Sequence, residues 1–460
     1  MAAIKITFAG AARTVTGSKF LVESEGRKVL VDAGVYQGLK ELRLRNWDAP
    51  PFDPASLDAV MLTHAHIDHT GYLPRLVTQG FTGPVYCHKA TADLCEILWP
   101  DSGHLQEEHA RYANKKGFSR HKPALPLYTE ADARLALRQL RGVSFNEPID
   151  VAPGISATWR TAGHILGASM IRLEAGGRSV LFSGDLGTVV DEILPSPVPP
   201  EPCDALLVES TYGDRLHGDE RPDDQLARVV NETAERRGVL LIPAFAVGRT
   251  QEILYTLREL EAAERIPEIP VAVNSPMAVD VTGIYRRHPE AHNLESRHLL
   301  KTGQQPFSTK QVRFCRSVQQ SKSLASIKGP AIIISASGMM TGGRILHHLI
   351  NRLPDERNTI LLVGYQAMGT RGRKILEGAE KIKIFGRHHP VRARVERVSG
   401  FSAHADRNGI LGWLDRFEQP PTQTFVVHGE EQPAEALATA LTERGWKAHA
   451  PEYLETAEID

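Results

Sequence analysis

Short apolar runs recur along the chain at spacings that suit strands, and six of them run straight into a histidine or an acid. The first three, Ile4–Ala9, Lys19–Glu23 and Lys28–Asp32, predict hairpin-forming strands. Further β-rich runs predict strands at Asp58–Thr63, Ile155–Arg160, Ser179–Phe182, Ala205–Glu209, Val239–Pro243, Val271–Asn274, Ala331–Ser335, Thr359–Val363 and Thr424–His428. Apolar residues at helical spacing predict helices at Ala90–Leu98, Glu130–Leu140, Asp223–Arg236, Arg249–Glu264 and Ala434–Arg444. Strands alternating with helices place the chain in the α/β class. The proline-rich stretch Asp191–Pro202 is expected to cross the surface between elements.

The strand ends carry side chains capable of chemistry. Lys28–Val31 is followed by Asp32, Asp58–Thr63 by His64, and Ile155–Arg160 leads to His164. Ser179–Phe182 leads to Asp185, Ala205–Val208 ends at Glu209, and Thr424–Val427 ends at His428. Loops past strand ends gather on one rim of a layered α/β fold, where sites are built. A lone buried histidine is more often a hydrogen-bonded core residue than a ligand. The weight therefore lies in the shared placement. It lies also in the hexad His64-Ala65-His66-Ile67-Asp68-His69. Alternation on a strand points His64 and His66 the same way, and a turn after the strand can bring Asp68 and His69 back. Three nitrogens and an oxygen suit a divalent ion such as zinc. Four ligands on so short a stretch serve two adjacent ions as readily as one.

The chain has 460 residues, enough for two domains or more, and a formal charge of −1. That near-neutrality conceals a basic block: His292–Val395 holds 18 Lys+Arg against 5 Asp+Glu, so the remainder is acidic. A basic block suits a polyanion-binding face, and on charge alone a solvated surface without a partner fits equally well. Cys87, Cys95, Cys203 and Cys315 form no Cys-x-x-Cys pair, which points to small buried hydrophobes in a reducing cytoplasm. No secretory leader is visible, and no apolar run approaches the roughly 20 residues a bilayer requires, so no membrane partner is expected.

His64–His69 followed by Thr70-Gly71-Tyr72-Leu73-Pro74 resembles the H-x-H-x-D-H motif of the metallo-β-lactamase superfamily. More narrowly the chain resembles the β-CASP branch of nucleic-acid-processing nucleases, and within it the pre-mRNA 3′-end cleavage endonuclease and its prokaryotic ribonuclease relatives. Asp32, the hexad, His164 and Asp185 match the first four motifs in order. Glu209, His404 in Phe401-Ser402-Ala403-His404-Ala405-Asp406, and His428 match motifs A, B and C. Histidine at motif C is the residue of RNA-acting members. The resemblance implies an αββα sandwich, residues 1–210 rejoined by 396–460, interrupted by an α/β cap at 211–395 that contains the basic block.

The same resemblance implies a two-zinc site, with manganese as the other candidate. His64, His66 and His164 would hold one ion, Asp68, His69 and His428 the other, and Asp185 would bridge them. His404 would be the general acid, oriented by Glu209, and Asp32 would steady a ligand histidine from behind. Three glycine-rich turns of the cap, beginning at Pro243, Ser335 and Gly364, each follow an apolar strand; Arg249, Ser337 and Arg344 are their candidate phosphate-binding residues. The expected activity is hydrolysis of single-stranded RNA, endonucleolytic with 5′-to-3′ exonuclease action as a further option, and a homodimer is compatible with the relatives. Two alternatives stand: a hydrolase of a small ester, thioester or lactam on the same fold, and an inactive RNA-binding scaffold, which retention of all seven ligands disfavours.

Overall fold

The computed structural model describes residues 3–117, 122–189, 191–218, 220–364, 366, 368–398 and 400–460. The chain divides into two compact units. One comprises Met1–Asp191, Pro195–Leu216 and His404–Asp460; the other comprises Glu192–Leu194 and His217–Ala403.

In the first unit two seven-stranded sheets lie face to face. One runs in the order Thr456–Ile459, Ile4–Phe8, Phe20–Ser24, Arg27–Val31, Ala59–Met61, Val85–His88, Leu140–Val143. The other runs Ala448–His449, Gln423–Val427, Ala205–Glu209, Arg178–Phe182, Ser169–Ala175, Ile155–Thr161, Ile149–Ala152. Period-two alternation supplies the shared core: Ile4, Ile6 and Phe8 are buried while Lys5 faces out. Across the interface Phe8 meets Phe425 at 5.0 Å between ring centroids and Phe20 meets Phe182 at 6.0 Å, the packing of a β-sandwich. Helices Lys89–Lys116 and Glu431–Glu443 pack on the outer faces.

Parallel pairing decides where the strands deliver their ends. Val31 is level with Met61 in one sheet; Phe182 is level with Leu207, and Glu209 with Val427, in the other. The segments beyond them, carrying Asp32, the hexad, Asp185, Glu209 and His428, therefore leave each sheet at one edge.

The second unit is built on six parallel strands in the order Val312–Phe314, Val271–Val273, Ala331–Ser335, Val239–Pro243, Thr359–Leu362, Arg394–Arg397. The two central strands are buried along their whole length, as a sheet covered on both faces requires. Val239–Pro243 connects through Arg249–Ala262 toward one edge, and Ala331–Ser335 through Ile345–Arg352 toward the other. The crevice past Pro243 and Ser335 is thus a topological switch point. Among the described residues no helix is long and apolar enough to cross a membrane.

Several elements differ from the pattern read in the sequence. The helix expected to end at Leu98 continues to Lys116, passing Pro100. Proline there removes one backbone donor, but Leu98, Trp99 and Pro100 are all buried, and packing outweighs the local penalty. The strand Ser169–Ala175 is not among the predicted elements, since Arg172 and Glu174 interrupt its apolar run even though they alternate with buried residues. The two-stranded ribbon Lys381–Ile384 with Arg387–Pro390 is not among them either, because charge hides the alternation of Ile382 and Ile384. The proline-rich stretch forms no helix or strand in its described part.

Candidate metal centre

Three groups of metal-capable side chains lie in the first unit, the ligand atoms of each within 4.8 Å of one another. They are His64, His66, His164 and Asp185; then Asp68, His69 and His428; then Asp185, Glu209 and His404. Strand ends and sharp turns place them. Asp32, Gly184 and His428 all have positive φ, so the chain bends abruptly where each strand finishes. His66 precedes the single helical turn Ile67–Thr70, which swings Asp68 and His69 back beside His64. The loop behind this turn sits flush against it. A Cβ on Gly34 would lie 1.5 Å from the carbonyl oxygen of Asp68, so only glycine permits that approach.

In the first group His66 Nδ1 is 3.0 Å from His64 Nε2 and 3.2 Å from His164 Nε2. Asp185 Oδ2 lies 3.5 Å from both His64 Nε2 and His164 Nε2. In the second group His69 Nε2 is 2.9 Å from His428 Nε2, and His428 Nε2 is 3.8 Å from Asp68 Oδ2. The other oxygen of Asp185, Oδ1, is 3.3 Å from His69 Nε2 and 3.3 Å from His428 Nδ1. It is buried and has no hydrogen-bond partner among the described residues. So many nitrogens aimed at one another, with an unbonded carboxylate oxygen between them, form an arrangement that bound cations would satisfy. The donor set, nitrogen-rich with two carboxylates, fits zinc or a similar divalent ion.

The histidines are held from behind. Asp32 accepts from Thr63 N at 2.8 Å and from Ser18 Oγ at 3.2 Å, and its Oδ2 is 2.7 Å from His69 Nδ1. A carboxylate only accepts, so His69 carries a proton on Nδ1, which leaves Nε2 as its ligating nitrogen. Thr63 Oγ1 touches both oxygens of Asp32 and lies 3.1 Å from His64 Nδ1. Thr211 Oγ1 lies 3.2 Å from His428 Nδ1 and donates to the His428 carbonyl at 3.1 Å. Ser18, Thr63 and Thr211 went unread in the sequence as supporting residues. Position was the available signal for two of them: Thr63 directly precedes the hexad and Thr211 stands two residues after Glu209. Lys19 braces the same loop with its buried ammonium, bonded to the Gly17 and Gly34 carbonyls and 4.7–4.8 Å from the ring centres of Tyr36 and Tyr72.

Electrostatics follow burial first. Desolvation, reinforced by neighbouring His69, holds His64 well below the ordinary histidine range, and desolvation lowers His66 too. Burial thus favours the neutral imidazole in both, the form that ligation requires. For His69 burial pulls down, but Asp185 and Asp32 together outweigh it and raise the group; a cation there would displace a proton. Asp68 is pushed down to about 2: burial opposes ionisation, and His428, then His69, overcome it.

Beside this centre Glu209 faces His404 Nδ1 with both oxygens, each at 3.2 Å. Glu209 is itself fixed by Leu186 N at 2.6 Å and Thr211 N at 3.3 Å. Burial would lower the His404 pKa, but Glu209 and then Asp185 raise it to about 9. Its Nε2 lies 3.9 Å from Asp185 Oδ2, and its ring packs at 4.3 Å on His164.

The residues expected to bind phosphate all lie in the second unit. Ser337 sits in the loop after Ala331–Ser335, its Oγ accepting from Thr341 N at 3.1 Å. Arg249 opens its helix, paired with Glu252 and 5.8 Å from the ring centre of Phe401. The guanidinium of Arg344 donates to Asn274 Oδ1 at 3.0 Å, Cys315 O at 3.1 Å and Arg316 O at 2.7 Å. These bonds hold the guanidinium beside the Ser337 loop and use three of its five N–H donors. Of the third glycine-rich turn, Tyr365 and Ala367 lie outside the described residues.

Comparison with known proteins adds three family matches. Residues 14–239 match the metallo-beta-lactamase superfamily, 250–375 the Beta-Casp domain, and 388–451 the Zn-dependent metallo-hydrolase RNA specificity domain. Ribonuclease TTHA0252 of Thermus thermophilus is 38% identical over 440 residues, covering 95% of each chain. The transcription termination factor FttA of Methanocaldococcus jannaschii is 34% identical over 440 residues, which is 93% of this chain and 67% of that one. A crystal structure of a protein of unknown function from Enterococcus faecalis V583 superposes with a TM-score of 0.58 at 15% identity, covering 99% of this chain and 100% of the other, a likeness of fold.

Proposed function

The chain belongs to the β-CASP branch of the metallo-β-lactamase superfamily, and from that premise we propose that it is a zinc-dependent ribonuclease acting on single-stranded RNA. A metal-dependent hydrolase of the nuclease class is what the ribonuclease relative and the RNA specificity domain support. Endonucleolytic cutting, with 5′-to-3′ exonuclease action as a second mode, is the finer reading. The small-molecule alternative has no comparable support. Because the archaeal termination factors are matched over only about two thirds of their length, their role in transcription is not carried over.

The observation that carries the reading is Asp185, one oxygen turned to each of two histidine groups and the Glu209–His404 pair alongside. His64, His66, His164 and Asp185 would hold one cation, and Asp68, His69 and His428, with Asp185 alongside, would hold the other. When bound, a pair of such cations acidifies water and stabilises charge gathering on a phosphoryl group. Asp32 and Thr63 keep the imidazole of His69 in its ligating tautomer. Glu209 fixes Nδ1 of His404, leaving Nε2–H to deliver a proton to the departing ribose oxygen. A pKa near 9 keeps that proton in place at neutral pH, and cations beside Asp185 would draw it down toward the working range. In the second unit Ser337, Arg249 and Arg344, at the switch point past the central strands, are the proposed phosphate contacts.

The test is 5′-labelled single-stranded RNA incubated with zinc and either wild type or Asp185→Ala. Cleavage by the wild type alone is expected, and product lengths and ends report the mode. Intact RNA with wild type across pH and salt, or turnover of a thioester or lactam far above that of RNA, would overturn the proposal.

A further inference from the structure

The ribbon Lys381–Ile384 and Arg387–Pro390 stands apart from the main sheet of its unit. Ile382 and Ile384 are buried in the same core as Ile375 and Ala393, which pins the ribbon to the body. Alternation then leaves Lys381 and Lys383 exposed on the other face, and His388, the cross-strand partner of Lys383, joins them. Arg387, level with Ile384 and so on the isoleucine face at the hairpin end, is exposed as well. Between Lys381 and Val395 the chain has five Lys+Arg and no Asp or Glu. Lys381, Lys383 and Arg387 form no ion pair among the described residues, and Glu377 nearby is taken by Arg373 at 2.7 Å.

The turn is the telling part. Phe385 and Gly386 both have positive φ, 47° and 83°, the conformation a tight hairpin demands. Asparagine or glycine suits the first of these positions; phenylalanine does not. Nor is its ring buried in exchange: 61% of Phe385 is exposed, with its centroid 5.1 Å from that of the exposed His347. Lysines on a strand edge are explained by resistance to aggregation, but that explanation does not cover an exposed aromatic at a conformationally costly position. Arg371 also ties the ribbon to the Ser337 loop, donating to Lys383 O at 3.0 Å and to Met340 O and Thr341 O at 3.1 Å each.

We infer that this ribbon is an RNA-binding platform, in which Lys381, Lys383 and Arg387 meet backbone phosphates and Phe385 with His347 offers ring faces for an unpaired base. Cations along a strand with aromatic faces between them are the usual means of holding single-stranded RNA. The choice of RNA as partner rests on the ribonuclease reading.

The experiment measures binding of a fluorescein-labelled, phosphorothioate-linked 20-mer of uridine, which resists hydrolysis, as a function of salt. Lys381→Ala/Lys383→Ala/Arg387→Ala should weaken binding roughly 10-fold and flatten the log–log salt slope by about 2, since each single-strand phosphate contact contributes about 0.7. The charge-conserving set Lys381→Arg/Lys383→Arg/Arg387→Lys should bind as wild type. Phe385→Ala should weaken binding roughly 5-fold or more without altering the slope, and Phe385→Trp should restore it. Photo-crosslinking with a 4-thiouridine oligonucleotide should label the 381–390 peptide. An unaltered slope in the triple alanine variant, equal loss in the charge-conserving set, or a crosslink map lacking this peptide overturns the inference. Wild type that cuts RNA while the slope stays unaltered sinks the ribbon alone. Wild type that binds RNA but leaves it intact sinks the ribonuclease reading, and wild type that does neither sinks both.

Discussion

Replacing Asp32 by asparagine isolates the part of the metal centre that touches no ion. The two side chains share a shape, so Thr63 N keeps its acceptor on Oδ1, 2.8 Å away. The amide nitrogen then takes the place of Oδ2 and aims a hydrogen at His69 Nδ1, where the native distance is 2.7 Å. His69 must accept there, and its proton moves to Nε2, the atom 2.9 Å from His428 Nε2 and 3.3 Å from Asp185 Oδ1. A donor now points where a lone pair is needed. Loss of such an orienting partner typically costs 10–100-fold in metal affinity, about 1.4–2.7 kcal/mol. The loss should fall on the His69 group, because among His64, His66 and His164 only His64 is linked to Asp32, through Thr63. Zinc titration against a chelator, with metal content by mass spectrometry, should resolve one weakened site and one near-native site. RNA cleavage should fail at limiting zinc and recover as zinc is raised. Two native affinities, or full cleavage at limiting zinc, would refute the tautomer argument.

Other predictions rest on the same geometry. Gly34→Ala cannot be accommodated against Asp68 without displacing the hexad, so metal content and cleavage should both collapse, the latter by roughly 100-fold or more; near-native kinetics would show the loop to be pliant. His404→Gln should keep both metals while slowing the chemical step about 10²–10⁴-fold in single-turnover assays. Glu209→Gln removes the largest contribution raising the His404 pKa, so the alkaline limb of the rate profile should move to lower pH; an unmoved limb would exclude His404 as the acid. In the second unit burial lowers His292 and His348 from 6.5 to about 4. Below pH 6.5 the unfolded chain binds protons that the folded one refuses, so stability falls with pH until about 4, by at most about 3 kcal/mol per histidine. Urea titrations at about pH 7.5 and about pH 4.5 should show this loss, and His348→Gln should reduce it.

Much of the centre was legible because ligation depends on residue type and on short spacing. The hexad announces itself within six residues, and the acids and histidines after each strand can be read one by one. The supporting layer was not legible. Thr63, Ser18 and Thr211 act through hydrogen bonds to residues that strand pairing and turns bring close, and threonine and serine are too common after strands to mark themselves. Arg344 reads as a candidate phosphate contact from its glycine-rich turn, while the bonds that position it, to Asn274, Cys315 and Arg316, come from elsewhere in the chain. Pro100 reads as a helix stop because local propensity says so, and burial of Trp99 overrules it.

By itself the amino-acid order determined the α/β class, the strand ends that carry chemistry and the motif set that names the family, all of which follow from local periodicity and residue type. The tertiary structure alone decided that Asp185 turns one oxygen to each histidine group and that Glu209 meets His404 with both of its own. It alone seats Gly34 on the hexad and leaves Phe385 exposed at the tip of a basic ribbon. Those facts are distances between side chains remote along the backbone, set by sheet pairing and core packing that no local pattern encodes.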